Sequence, residues 1–264
     1  MTPDSTKNLF HELLELTRHL RSPEGCAWDR AQTVESIRPH LVEEFHEALE
    51  ALDERDDDRL RDELGDLLFL IVSISVMGEE EGRFSIDEII SGIDSKLRRR
   101  HPHVFGELVA ETPDEVRSTW ETQKLSEKTH ADRESMLDGL PRDFSALLTA
   151  RRMQEKAASV GFDWPSRDEV LDKIVEETGE LREELASDDR DRQEDEIGDL
   201  LFAVVNIARY QGIDPEAALR RTNLKFRTRF AAIERHFAGT DLREVGLEAM
   251  DAVWNEVKEN EEGR

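Results

Sequence analysis

Apolar residues recur at three- and four-residue spacing along almost the whole chain, and no run alternates with the period of two that a half-buried strand requires. Leu41, Phe45, Ala48 and Leu52 form one such stripe, which predicts a helix turning that side to a core. Leu67 to Met77 is apolar almost all round, with Ser73 and Ser75 as interruptions, and predicts a buried helix. It falls well short of the roughly 20 residues that span a bilayer. The punctuation agrees with helices. Ser85 with Glu88, Thr112 with Glu115 and Ser166 with Glu169 each have capping-box spacing, the second with Pro113 at the first helical position. Asp214-Pro215 opens a further helix, and Gly161, Gly212 and Gly239 stand where helices should stop. The expected fold class is all-α.

The pattern also repeats. Glu43-Glu44-Phe45-His46-Glu47 lies over Glu176-Glu177-Thr178-Gly179-Glu180, 133 positions on. At the same offset Asp62-Glu63-Leu64-Gly65-Asp66-Leu67-Leu68-Phe69 lies over Asp195-Glu196-Ile197-Gly198-Asp199-Leu200-Leu201-Phe202. Asp94 to Arg100 then matches Asn223 to Arg229, Trp120 with Lys124 matches Trp254 with Lys258, and Trp28-Asp29 has a counterpart in Phe162-Asp163-Trp164. Blocks recurring in one order predict two homologous helical-bundle units, 1–128 and 137–264. The polar stretch Ser126 to Ser135 joins them, with a linker expected at 129–136.

Each repeat carries Glu-x-x-Glu and, at a fixed distance, Glu-x-x-Asp. Residues three apart share a helix face, so Glu44 pairs with Glu47 and Glu63 with Asp66. In the second repeat Glu177 pairs with Glu180 and Glu196 with Asp199. The short polar segments between the pairs, Glu54 to Arg59 and Ser187 to Arg192, predict antiparallel hairpins that bring four carboxylates around one point. A lone acidic pair in so acidic a chain usually marks a solvated face. Recurrence at identical spacing, at the edge of an apolar segment, points instead to a bound cation, because clustered carboxylates repel when unpaired. With oxygen ligands alone the expected ion is Mg²⁺, or Mn²⁺ as substitute.

Composition narrows the function. A formal net charge of −26 over 264 residues opposes binding to nucleic acid or an anionic membrane. Against that background Lys225, Arg227 and Arg229, with Asn223 a turn earlier, stand out as a block that could hold a polyphosphate beside the cation. Cys26 is the single cysteine, so a disulfide framework or a cysteine zinc site within the chain is excluded. Met1 to Leu20 lacks the apolar core of a signal peptide, and a cytoplasmic protein is expected. No Gly-x-x-x-x-Gly-Lys loop occurs, which excludes P-loop hydrolysis.

The paired acids, the Gly-Asp-Leu-Leu-Phe run, Cys26-Ala27-Trp28-Asp29 and Arg99-Arg100-His101-Pro102-His103-Val104-Phe105 together resemble MazG-type nucleoside triphosphate pyrophosphohydrolases over essentially the whole chain. The resemblance implies an all-α pyrophosphatase fold, usually a homodimer. It implies hydrolysis of nucleoside triphosphates to the monophosphate and pyrophosphate, with broad base tolerance and a role in clearing aberrant nucleotides. It places Mg²⁺ ligands at Glu177, Glu180, Glu196 and Asp199, equivalent to Glu44, Glu47, Glu63 and Asp66. It places nucleotide contacts at Lys173, Glu176, Arg192, Asn223, Lys225, Arg227 and Trp254. In chemical terms Glu176 or Glu177 could take a proton from water, and Lys225 could neutralise charge on the leaving pyrophosphate. His40 replaces Lys173 in the first repeat, and Asp94 replaces Asn223. An extra carboxylate beside a polyphosphate is unfavourable, so the C-terminal unit is expected to be the better catalyst. Two rivals stand beside this expectation: a related pyrophosphatase with one narrow substrate, and a cation-responsive assembly protein with no turnover.

Overall fold

The computed structural model describes residues 3–110 and 135–262, with positions 112, 115, 116, 119, 120 and 123 between them. All regular elements among these residues are α-helices. The chain divides into two compact units, Met1–His130 and Ala131–Arg264. The expected linker lies almost wholly outside the described residues, as does Lys124.

The first unit runs α1 (Pro3–Arg21), α2 (Ala27–Ala31), α3 (Arg38–Glu54), α4 (Asp57–Glu80), α5 (Ile86–Arg100) and α6 (Pro102–Phe105). α3 and α4 form a tight hairpin, possible because Arg55 adopts a left-handed conformation (φ 58°) and Asp56 caps α4 through Arg59 N–H. The core sits between α4 and its neighbours. Leu14, Val72, Val76 and Ile86 form one cluster, and Ile37, Leu70 and Met77 a second. Arg18 and Arg21 tie α1 to α4 through Glu79 and Glu80. At the end of α4 the ring of Phe84 lies 2.5 Å from where a Cβ on Gly78 would stand, so any larger residue there would have to displace that ring.

The second unit repeats the plan: α7 (Ala146–Ala158), α8 (Arg167–Glu184), α9 (Arg190–Tyr210), α10 (Pro215–His236) and α11 (Leu247–Glu262). α8 and α9 are the hairpin, and Asp189 caps α9 through Arg192 N–H as Asp56 caps α4. The expected signals are used. Ser85 and Glu88 complete a reciprocal capping box, Asp214 caps α10 ahead of Pro215, and Gly161, Gly212 and Gly239 all have positive φ just past helix ends.

One expectation changes. Of the stripe on α3 only Ala48 is buried, while Phe45 and Leu52 are 51% and 55% exposed. Leu68 and Ile71 on α4 are exposed as well, although Leu70, Val72, Val76 and Met77 are buried. Within one unit the core takes one side of α4 and leaves the other side apolar and open.

Candidate active site

The α8–α9 hairpin sets the site of the second unit. Carboxylate oxygens of Glu177, Glu196 and Asp199 all lie within 4.8 Å of one another, although Glu177 starts on one helix and the other two on the next. Glu44, Glu63 and Asp66 make the same triangle in the first unit. The fourth acid of each expected set stands at its edge. Repulsion from Glu63 is the main cause holding the Glu47 carboxyl above its usual range. Glu180 likewise raises Glu196, after the larger effect of burial. Burial also raises Glu44, with Asp66, Glu47 and Glu63 adding to it. The Oε2 atom of Glu196 is buried with no hydrogen-bond partner. Converging oxygens and an orphaned acceptor fit a hard divalent cation in this triangle.

The surroundings of the two triangles differ. In the second unit Lys173 Nζ lies 2.6 Å from Glu177 and 2.8 Å from Glu176, and these bonds raise its pKa. Glu177 itself is only 4% exposed. In the first unit His40 occupies that position, edge-on to Trp28 at 5.5 Å. Arg59 reaches 3.5 Å from Glu63 while also binding Glu50 and Glu54. Its counterpart Arg192 is turned to Glu184 and Asp189 instead. Asp94, where the second unit has Asn223, is held by Arg98 at 2.8 Å.

Beside each triangle is a cavity. That of the second unit has a volume of about 750 Å³ and reaches from Lys173, Glu177 and Asp199 to Phe202, Asn206 and Arg209. That of the first is about 200 Å³, with Glu44 and Asp66 at one end and Arg21 in its wall. Arg21 is fixed there by Glu80 and by the backbone carbonyls of Asp29 and Gln32.

The basic block sits elsewhere in its unit. Asn223, Lys225 and Arg227 are exposed on α10, and neither they nor Trp254 line this cavity. They do not share one face either: Lys225 lies a turn from Arg229, while Asn223 and Arg227 fall on another side of the helix. Trp254 packs against Phe226 at 5.2 Å and beneath the Arg229 guanidinium at 5.4 Å, and Arg229 binds Glu261. The first unit repeats this contact as Arg100 over Trp120, also at 5.4 Å. The structure thus brings together Lys173, Glu176, Glu177, Glu196 and Asp199, and leaves Arg192, Asn223, Lys225, Arg227 and Trp254 apart from the cavity lining. Sequence reasoning passed over Gln154, Asn206 and Arg209. A glutamine among Leu147, Leu148, Met153 and Ala157 was the available sign.

Paired acidic helices converging on a cation-sized triangle beside a cavity, built twice in one chain, make an all-α site of the kind that metal-assisted hydrolases use. Residues 32–105 and 166–232 match the family described as the MazG nucleotide pyrophosphohydrolase domain. The nucleoside triphosphate pyrophosphohydrolase of Escherichia coli (strain K12) is 44% identical over 259 residues, covering 96% of this chain and 98% of that protein. The nucleoside triphosphate pyrophosphohydrolase/pyrophosphatase MazG of Thermotoga maritima is 43% identical over 256 residues, covering 96% and 97%. The nucleoside triphosphate pyrophosphohydrolase of Mycolicibacterium smegmatis is 33% identical over 137 residues, about half of this chain. This chain belongs to the MazG family and is a pyrophosphohydrolase.

Proposed function

We propose that this protein hydrolyses nucleoside triphosphates, ribo and deoxy and with broad base tolerance, to the monophosphate and pyrophosphate, with Mg²⁺ as cofactor and Mn²⁺ as a substitute. The observation that carries the reading is the open 750 Å³ cavity beginning at the Glu177–Glu196–Asp199 triangle, in a family of nucleotide pyrophosphohydrolases. Glu177, Glu196 and Asp199, with Glu180 at the edge, would hold the cation, which supplies charge neutralisation at the phosphates and acidification of water. Glu177 and Glu176 are the candidates to accept the water's proton. Lys173, already an ion-pair partner of both, is placed to turn to a phosphate oxygen when one arrives. We assign Lys225 the role of meeting charge on the pyrophosphate, and Arg192, Asn223, Arg227 and Trp254 roles in nucleotide binding. Since they do not line the cavity of the isolated chain, those roles require α10 and α11 to come into reach in the assembled or loaded protein, and the Arg192 side chain on α9 to leave Glu184 and Asp189.

The C-terminal unit is the main catalyst in this reading. The larger cavity, and Arg192 turned to Glu184 and Asp189 where Arg59 reaches Glu63, support that ranking. The protein acts as a homodimer in the cytoplasm, clearing unwanted nucleotides. The exposed apolar side of each hairpin supports the dimer. No described helix is long and apolar enough to cross a membrane.

The test is pyrophosphate release from the four ribo- and four deoxynucleoside triphosphates, with Mg²⁺ and with EDTA. Pyrophosphate with monophosphate from several bases, abolished by EDTA, is expected. Orthophosphate with diphosphate, or a single strong substrate, would overturn the bond assignment or the breadth respectively.

A further inference from the structure

The cavity of the second unit contains a buried polar group whose hydrogen bonding is incomplete. Gln154, on α7, is only 7% exposed and lines the cavity. Its Nε2 donates to the backbone carbonyl of Phe202 at 2.9 Å, which fixes which end of the amide is which. Its Oε1 is buried without a partner. Buried acceptors are nearly always satisfied, so an orphaned one on a residue that lines a cavity calls for a donor, which a molecule entering the cavity can bring.

The neighbouring groups say what kind of molecule. On α9, Asp199, Phe202, Asn206 and Arg209 follow one another down the helix face toward the cavity. Asn206 therefore stands roughly 10 Å along the axis from Asp199, at 1.5 Å per residue. That gap leaves room for a sugar between phosphates held at the carboxylates and a ring held at the amides. Asn206, another lining residue, accepts at Oδ1 from Arg209 Nε at 3.0 Å and Nη2 at 2.8 Å, which leaves its Nδ2 as the donor end. Arg209 is in turn anchored by Asp163 at 3.0 Å. Phe162, Trp164 and Phe202 supply apolar surface suited to a flat ring.

We propose that Gln154 Oε1 accepts a hydrogen bond from an N–H on the nucleobase, with Asn206 Nδ2 as the complementary donor. Every standard base carries an N–H beside an acceptor on its pairing edge, so one acceptor and one donor can engage each of them, guanine by turning over because it presents the two in the order opposite to adenine. This rests on the nucleotide reading above and gives its base tolerance a mechanism. The first unit lacks the device: α1 lends Thr17, Leu20 and Arg21 to its cavity, and Ser73 replaces Asn206.

The test compares ATP with purine riboside 5′-triphosphate, which lacks the exocyclic amine, in the wild-type protein and in Gln154→Leu. Wild type should favour ATP in kcat/KM by about tenfold, the size of one buried hydrogen bond. Gln154→Leu should bring the ratio near one, whatever it does to the absolute rate. A purely structural Gln154 would lower both substrates and leave the ratio intact, which overturns the assignment. Equal use of both by the wild type would overturn it without any variant. Turnover of neither by the wild type would sink the nucleotide reading and this inference together.

Discussion

A carboxylate is costly to bury among its own kind, and both triangles are arranged around that cost. Glu196 has a folded pKa above the ordinary 4.5 because burial and then Glu180, Glu177 and Asp199 disfavour its charge. For an acid raised on folding, the stabilising contribution exists below the unfolded pKa and is lost as pH rises through the folded one. The metal-free protein at neutral pH therefore carries the repulsion in full. Glu196→Gln should raise the melting temperature in EDTA at neutral pH, with the gain shrinking toward pH 4. A gain independent of pH would contradict the assignment. In the turnover assay Glu177→Gln should lower the rate on the order of a hundredfold or more, as for loss of a charge-stabilising group at a reacting phosphate. Glu44→Gln should cost less, and the reverse order would overturn the ranking of the two units. The acids were legible in the sequence because their spacing recurs. Gln154 was not, since α7 meets Phe202 only after folding, 48 positions along the chain.

At the scale of helices, the chemistry of the ends was legible almost residue by residue. Ser85 with Glu88, Asp214 with Pro215, and Gly161, Gly212 and Gly239 with their positive φ do what their types predict. Asp56 and Asp189 open the second helix of each acidic hairpin with the same side-chain bond. Replacing either by alanine should cost about 1 kcal/mol of stability, read by chemical denaturation. An effect of that size at Asp56 and none at Asp189 would mean the hairpins are not held alike. What the helical pattern could not give is what each apolar stripe touches. Leu41, Phe45 and Leu52 show the apolar side of α3, but periodicity does not say whether the covering surface belongs to the same unit. The basic block meets a related limit. Its residues adjoin in sequence, yet Arg227 turns away from Lys225 and Arg229, and Arg229 is committed to Trp254 and Glu261.

For the molecule as a whole, the exposed Leu64, Leu68 and Ile71 on α4 correspond to Ile197, Leu201 and Val204 on α9. An apolar patch on both hairpins calls for a cover. The proposed dimer predicts that wild type sediments as a dimer at micromolar concentration and that Leu68→Glu together with Leu201→Glu sediments as a monomer in sedimentation velocity. Wild-type protein sedimenting as a monomer would remove the dimer from the proposal. The duplication of that patch also bears on solubility. A chain with two like adhesive sites is a bifunctional monomer in the polymer chemist's sense, and such monomers string together without limit unless their contacts form a ring. In the proposed dimer, staying dissolved is then a matter of ring closure, with the surplus of negative charge assisting it.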